Sequence, residues 1–531
     1  MQKILYKIKA YGYDAFGRMT SFTDAGGHET TYTYDALGRK TGEYCPDGSQ
    51  TRTEYNDAEN EIAQTDENGN RMIYRYTPLG QISRVIEGNS GTALTAYQYD
   101  LMLRPVYELS LDAGGVKSAT RYRYDHFDRV TSTVVTDRAG AVLSDESVMY
   151  QDVYDKSTAR MVKIVKGDEA AQADAAAQNI VTTEYYDLLG RTVKTGCFAG
   201  GKENIDTYAF DKAGNCTSVL TERDRGLGLS YTTRSEYDFS GRVTRQYNAL
   251  GESAGGEYDA LGRTVAQTDF KGNRTTYRYD SFDRMIEKRS PFSAGAESVA
   301  RYRYDIMGNV ASIETSSGTP GGAQKSRVNR YEYDVRGRLV LAAAENEGGA
   351  EYTKYEYDKA GNQTDVYAGG RAAAGGVEYA AHTRADYDRY GNVTARTDAM
   401  GQAETYRYDL YGVLQGKTDR NGNATAFVYD GLGRAVRTTV TPKDPETGNA
   451  GAPEAISVEY TRTGQIKSTK GDGIELRYKY DSRGLVVGES EASPLHGGVY
   501  KMYSYDAAGS RTGMTVADGG VIRAAASKSY S

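Results

Sequence analysis

The sequence predicts an all-β protein: a long, spiralling antiparallel β-sheet of short hairpins, stabilised from neighbour to neighbour as a solenoid is. Three observations carry that expectation. A six-residue unit recurs along nearly all of the 531 residues, the strand before it alternates aromatic and polar side chains, and the composition supplies many turns but little aliphatic bulk.

The unit is Tyr-Asp-x-x-Gly-Arg/Asn, as in YDAFGR from Tyr13, YDALGR from Tyr34 and Tyr258, YDLLGR from Tyr186, and YDGLGR from Tyr429. With degenerate copies it occurs 21 times between residues 13 and 510, with Asp second in 18 copies and Gly fifth in 16. Units at 13, 34, 55 and 76, at 237, 258 and 279, and at 387, 408 and 429 stand 21 residues apart, and a second turn signal falls between them, as at Asp24, Asp66, Asn248, Asp269, Asp398 and Asp419. In Asp-x-x-Gly, the Asp carboxylate accepts the backbone N–H two residues on, and the Gly supplies the left-handed corner that returns the chain antiparallel. The predicted turn residues are therefore Tyr34, Asp35, Gly38 and Arg39; Tyr186, Asp187, Gly190 and Arg191; Tyr258, Asp259, Gly262 and Arg263; and Tyr429, Asp430, Gly433 and Arg434. About six residues remain between turns, a strand of roughly 20 Å.

The strand ahead of the turn reads Tyr-x-Tyr-Asp in eleven places, so both rings lie on one face and the Arg, Glu, Lys or Thr between them on the other. Neighbouring strands then build rows of Tyr on one face and mixed charges on the other. Longer gaps at 138–180, 315–328 and 441–456 are expected as loop insertions on one rim, the first with a short helix in the Ala-rich run from Asp168. The whole chain, 1–531, reads as one continuous repeat array.

Composition agrees. The chain has 61 Gly but 9 Pro, and 47 Tyr and 10 Phe but no Trp; hydrophobic residues are 38%. Such a chain has a half-polar interior or two wet faces, with little dense core, while its Tyr and Thr content is foreign to disorder. A net charge of -7 spread along the chain leaves no basic stripe for nucleic acid or an anionic membrane. No apolar run approaches the 18 residues of a membrane span, and the first residues lack the apolar stretch of a signal peptide.

Chemistry-bearing residues are sparse. His28, His126, His382 and His496 are scattered, and Cys45, Cys197 and Cys216 lack zinc spacing; Cys197 and Cys216 are read as free thiols, with a cross-strand disulfide as the alternative. No catalytic, cofactor-binding or metal-binding residue is assigned, and no cofactor is expected. The turns at Asp66 and Asp419 offer too few oxygens in series for calcium. A second reading of the Tyr rows makes Tyr277, Tyr279, Tyr406 and Tyr408 a stacking platform for a glycan or a partner protein, as on a cell-surface adhesin.

The Tyr-Asp-x-x-Gly-Arg/Asn unit, the Tyr-x-Tyr strand and the spacing near 21 together resemble the YD-repeat, or RHS-repeat, family, from about Tyr11 to Arg511. That family includes bacterial polymorphic toxins, shell components of insecticidal toxin complexes, wall-associated proteins and animal teneurins. The resemblance implies a hollow β-sheet shell, a non-enzymatic structural role, a C-terminal toxin or effector segment of the same longer polypeptide as enclosed partner, and a secreted or cell-surface location. Other shell or delivery components are implied as further partners. The family's closing region carries an Asp-Pro-x-Gly segment with self-cleaving aspartates, whereas the Asp-Pro here, Asp444-Pro445, is followed by Glu446 and Thr447. The chain is accordingly expected to hold the repeat segment alone, without closing plug or toxin domain.

Overall fold

The computed structural model describes residues 9–152, 158–167, 179–199, 202–293, 295–319, 325–346, 348–493, 496–506, 509–518 and 521–527. Among them are 44 strands and one helical turn, Glu222–Gly226. The chain forms two compact units, each assembled from two stretches: Met1–Ala93 with Ala254–Arg420, and Leu94–Ser253 with Asn421–Ser531.

Within each stretch the strands pair antiparallel in chain order. In the first unit one stretch runs from Ala10–Tyr13 to Ile82–Glu87 and the other from Ser253–Tyr258 to Leu414–Thr418. The second unit repeats the plan from Thr92–Tyr99 to Val243–Asn248 and from Ala424–Tyr429 to Val521–Ser527. Gly376–Glu378 departs from it, closing a side hairpin on the end of Gln363–Ala373. In such a meander alternate turns fall on opposite rims, so the Tyr-Asp turns occupy one rim of every stretch and the intervening turns the other.

Burial follows the half-polar composition. Few hydrophobic side chains among the described residues are buried, and several of these are small, such as Ala63, Ala266, Ala296 and Ala343. The accessible surface is 32068 Å², where a solid globule of this mass presents about 19,000 Å². These are single sheets with two partly wet faces.

The gaps expected as insertion loops are mostly sheet. Val142–Asp152 and Arg160–Lys166 are paired strands, and Val310–Gly318 pairs with Lys325–Tyr333 across the second gap. The extra residues lengthen hairpins, because their Ser, Thr and Val alternate well enough to extend the ladder. Residues 442–453 do form a loop, with a single bridge between Lys443 and Ala450. The helix expected from Asp168 lies outside the described residues. The helix present, Glu222–Gly226, begins at Thr221, whose side chain accepts the Asp224 N–H. No helix among the described residues is long and apolar enough to cross a membrane.

Candidate functional site: the repeat turn and the seam between stretches

Each repeat turn is closed by its own Asp. In the unit at Tyr34, the Asp35 carbonyl accepts the Gly38 N–H at 3.1 Å, and Asp35 N–H returns to the Arg39 carbonyl at 3.0 Å. Asp35 Oδ1 accepts the N–H groups of Leu37 and Arg39, both at 2.9 Å. Gly38 takes φ of 84°, and the ladder shifts register between Thr33 and Tyr34, the signature of a bulge. Gly190, Gly262 and Gly433 repeat the corner at φ of 77°, 87° and 77°, with the same bonds from Asp187, Asp259 and Asp430. Three degenerate units put Leu103, Asp128 and Asp283 at that corner, with φ of 63°, 64° and 62°. The turn geometry is held even where glycine is absent.

The sixth residue does what the sequence did not reveal: Arg joins one unit to the next. Arg39 Nε donates to Asp35 Oδ2 at 2.8 Å within its turn, and its guanidinium lies 4.1 Å from the ring centre of Tyr55 in the following unit. Arg191 bonds Asp187 at 2.7 Å, stacks on Phe210 at 4.9 Å and donates to the Asp211 carbonyl at 3.2 Å. Arg263 bonds Asp259 at 2.8 Å, covers Tyr279 at 4.9 Å and reaches the Asp280 carbonyl at 3.2 Å. Arg434 pairs with Asp430 at 2.7 Å and covers Tyr460 at 4.5 Å. Where the next unit has Asp at the corner, Arg takes that carboxylate too, as in Arg104 to Asp128 at 2.6 Å and Arg263 to Asp283 at 2.8 Å.

The tyrosine completes the link backwards. Tyr34 donates to the Met19 carbonyl at 2.7 Å, Tyr279 to Thr264 at 2.9 Å, Tyr357 to Leu339 at 2.8 Å and Tyr460 to Ala435 at 3.1 Å. Tyr186 instead bonds Glu184 and lies under Arg160 at 5.0 Å, Tyr258 is half-buried, and Tyr429 lies 6.3 Å from Phe427. Of the candidate platform, Tyr277 and Tyr279 share a face, as do Tyr406 and Tyr408, and all four are half-buried. Tyr277 contacts Gln267 at 3.4 Å and Tyr406 donates to Glu404 at 2.6 Å.

Charge at the turns is held in place. Arg263, then the backbone N–H of the same residue, holds the Asp259 carboxyl below its ordinary range against some desolvation. For Asp187 the Arg191 N–H leads in the same direction. Burial pushes the Cys197 and Cys216 thiols up, and all three cysteines are free; the strand Lys202–Phe210 separates the two. His28 pairs with Asp24 at 3.0 Å; His382 pairs with Asp365 at 2.8 Å and stacks on Tyr367 at 4.3 Å. His126 lies against Phe127, and the His496 side chain is outside the described residues. Asp66 spends its carboxylate on Asn68 and Asn70. Among the described residues no group of three or more His, Cys, Asp or Glu side chains is placed to hold a metal ion.

A second arrangement joins the two stretches of each unit. In the first unit, Tyr-Asp turns of the later stretch sit on the opposite-rim turns of the earlier one. Arg336 reaches Asp47 and Ser49 at 3.3 Å and Glu67 at 3.4 Å; the Arg389 carbonyl accepts from Asn68 and Asn70. Tyr390 meets Glu87, whose side chain is only 1% exposed. Burial opposes the charge on Glu87, but Ser90, Asn89 and Tyr390 together hold its carboxyl below the usual range. These partners are 269 to 321 residues apart in sequence. In the second unit the offset recurs: Ser482 Oγ donates to the Phe198 carbonyl at 2.6 Å across 284 residues, and a Cβ at Gly431 would lie 2.8 Å from Ser118 Cβ.

Comparison with known proteins points the same way. The RHS repeat model matches residues 13–50 and 258–294, and the teneurin YD-shell model matches 294–441. No curated protein is significantly similar in sequence. Among solved structures, the Tc holotoxin pore of Photorhabdus luminescens aligns with 96% of this chain and 35% of its own, at 13% identity and a TM-score of 0.53. A crystal structure of TcdB2–TccC3 aligns with 96% of this chain and 34% of its own, at 12% identity and a TM-score of 0.45. The likeness to the first is one of fold, and this chain spans about a third of the length of these two structures.

Proposed function

We propose, from the premise that this is a YD/RHS-repeat chain, that it is a non-enzymatic wall segment of a β-sheet shell enclosing a C-terminal toxin or effector part of a longer polypeptide. The observation that carries the reading is the unit-to-unit linkage. In the regular units Asp and Arg close their own turn, Arg reaches on to the next unit and Tyr, as at Tyr34 and Tyr279, back to the preceding one, which stabilises a sheet one layer thick without a core. A thin wall with two partly wet faces suits enclosure. Its place is outside the producing cell, secreted or at the surface, and its partners are the enclosed segment and other shell or delivery components.

Small-angle scattering tests the wall. The expected radius of gyration lies well above the ~24 Å of a compact 531-residue globule, with a solvent-filled interior; a value near 24 Å overturns the reading. Enclosure is tested in the longer protein by protease digestion, where the C-terminal part stays intact while the repeats remain folded. Immediate digestion of that part would refute enclosure and leave the wall standing.

A further inference from the structure

On the tyrosine face of the first unit the row of rings is interrupted. The strand Ser253–Tyr258 places Gly256 where the strand Arg274–Tyr279 places Tyr277, two residues ahead of the repeat tyrosine. Gly256 pairs with Gln267, and Gln267 with Thr275, so the three stand in one row across neighbouring strands. A cavity of about 730 Å³ opens there, lined by Ala254, Gln267, Thr275 and Ser290, with Phe270 and Phe292 on it from the rim. Its volume is that of a small-ligand site.

The lining is uncharged except for Asp269, and that carboxylate is spent on its own turn. Oδ1 accepts the N–H groups of Lys271 and Asn273 at 2.9 and 2.8 Å, and Oδ2 the Asn273 side-chain amide at 2.9 Å. Other polar groups of the cavity keep their capacity. The Gln267 amide meets the Tyr277 hydroxyl alone, at 3.4 Å, and the side-chain hydroxyls of Thr275 and Ser290 have no protein partner among the described residues. Beside them the rings of Phe270 and Phe292 are 38 and 66% exposed.

We propose that this cavity binds a neutral glycan, a sugar ring stacking on Phe270 or Phe292 while its hydroxyls bond Gln267, Thr275 and Ser290. A pyranose presents both surfaces that the lining matches, a C–H face for an aromatic ring and a rim of groups that donate and accept. An anion would meet the Asp269 carboxylate with no cation opposite. A wholly apolar ligand would strip water from Gln267, Thr275 and Ser290 and return no bond. The repeat tyrosine next to the site takes no direct part, because Tyr279 is committed to the Thr264 carbonyl. The site does not depend on what the wall encloses.

The test applies the whole chain to an array of immobilised neutral, sialylated and sulfated oligosaccharides, with unmodified peptides beside them. Retention on neutral oligosaccharides alone is expected. Gly256→Tyr restores the ring row over the floor of the cavity and is expected to abolish retention. Its far-ultraviolet spectrum and thermal midpoint stay at or above those of the wild type, because a strand favours Tyr over Gly. Phe292→Ser, at an exposed position, is expected to weaken binding about tenfold. Tyr406→Phe, on another strand of the same unit, leaves binding unchanged. No retention on any neutral oligosaccharide, retention only on acidic ones or on peptides, or a folded Gly256→Tyr that binds like the wild type would each overturn the site. If Gly256→Tyr does not fold, Phe292→Ser decides: wild-type binding by that variant overturns the stacking and with it the site.

Discussion

Gly262 shows how much of the turn rests on a single backbone angle. At φ of 87° a side chain branched at Cβ meets its own carbonyl, at a cost of about 1–3 kcal/mol. Ala260, at the second turn position and exposed, meets no such penalty. Gly262→Val is therefore expected to lower the thermal midpoint clearly more than Ala260→Val, and equal midpoints would refute the turn assignment. The Asp beside it gives a pH signature. Turn carboxylates such as Asp35, Asp125, Asp259 and Asp280 are held below the ordinary value, so their folded pKa lies under their unfolded one, near 3.9. The stability they add is complete above that value and lost as pH falls through the folded values. A thermal midpoint level from about pH 5 to 7 and falling below about pH 4 is expected, with a shallower fall in Asp259→Asn. A midpoint that rises on acidification would contradict the linkage.

At the scale of the strand and its turn, the period and the Asp-x-x-Gly tetrad were readable because both are local: alternation decides the face, and a four-residue turn decides the reversal. The role of Arg263 was not, because its second partner, Tyr279, lies in the next unit and no rule of spacing says which face a long side chain crosses. The seam was hidden for the same reason, magnified: Arg336 and Asp47 are 289 residues apart. Lengthened hairpins at 310–333 were misread because TSSG has turn composition but here extends a strand. The link itself can be tested. Tyr279→Phe removes the bond to the Thr264 carbonyl but keeps the ring under Arg263, at an expected cost of about 1 kcal/mol. Tyr279→Ala removes both and costs about 2–4 kcal/mol. If both variants melt with the wild type while a glycan bound by the wild type is lost, Tyr279 belongs to a binding surface instead.

At the scale of the molecule, each unit is made from two stretches separated by the other unit's chain, so sequence neighbours and structural neighbours diverge. A repeat sheet stabilised by nearest-neighbour contacts unfolds locally, in pieces defined by what is bonded rather than by what is adjacent in sequence. Arg336 is the informative residue, since it bonds the turns at Asp47 and Glu67 from the far stretch of its own unit. Arg336→Ala is expected to raise amide hydrogen exchange in the strands around 45–70, nearly 300 residues away in sequence, and beside the substitution itself. Exchange in 94–253, the other unit's earlier stretch, is expected to stay at the wild-type level although it lies between those segments in the chain. An increase spread evenly over both units would mean that the molecule opens as one cooperative body, and the division into units would then carry no energetic meaning.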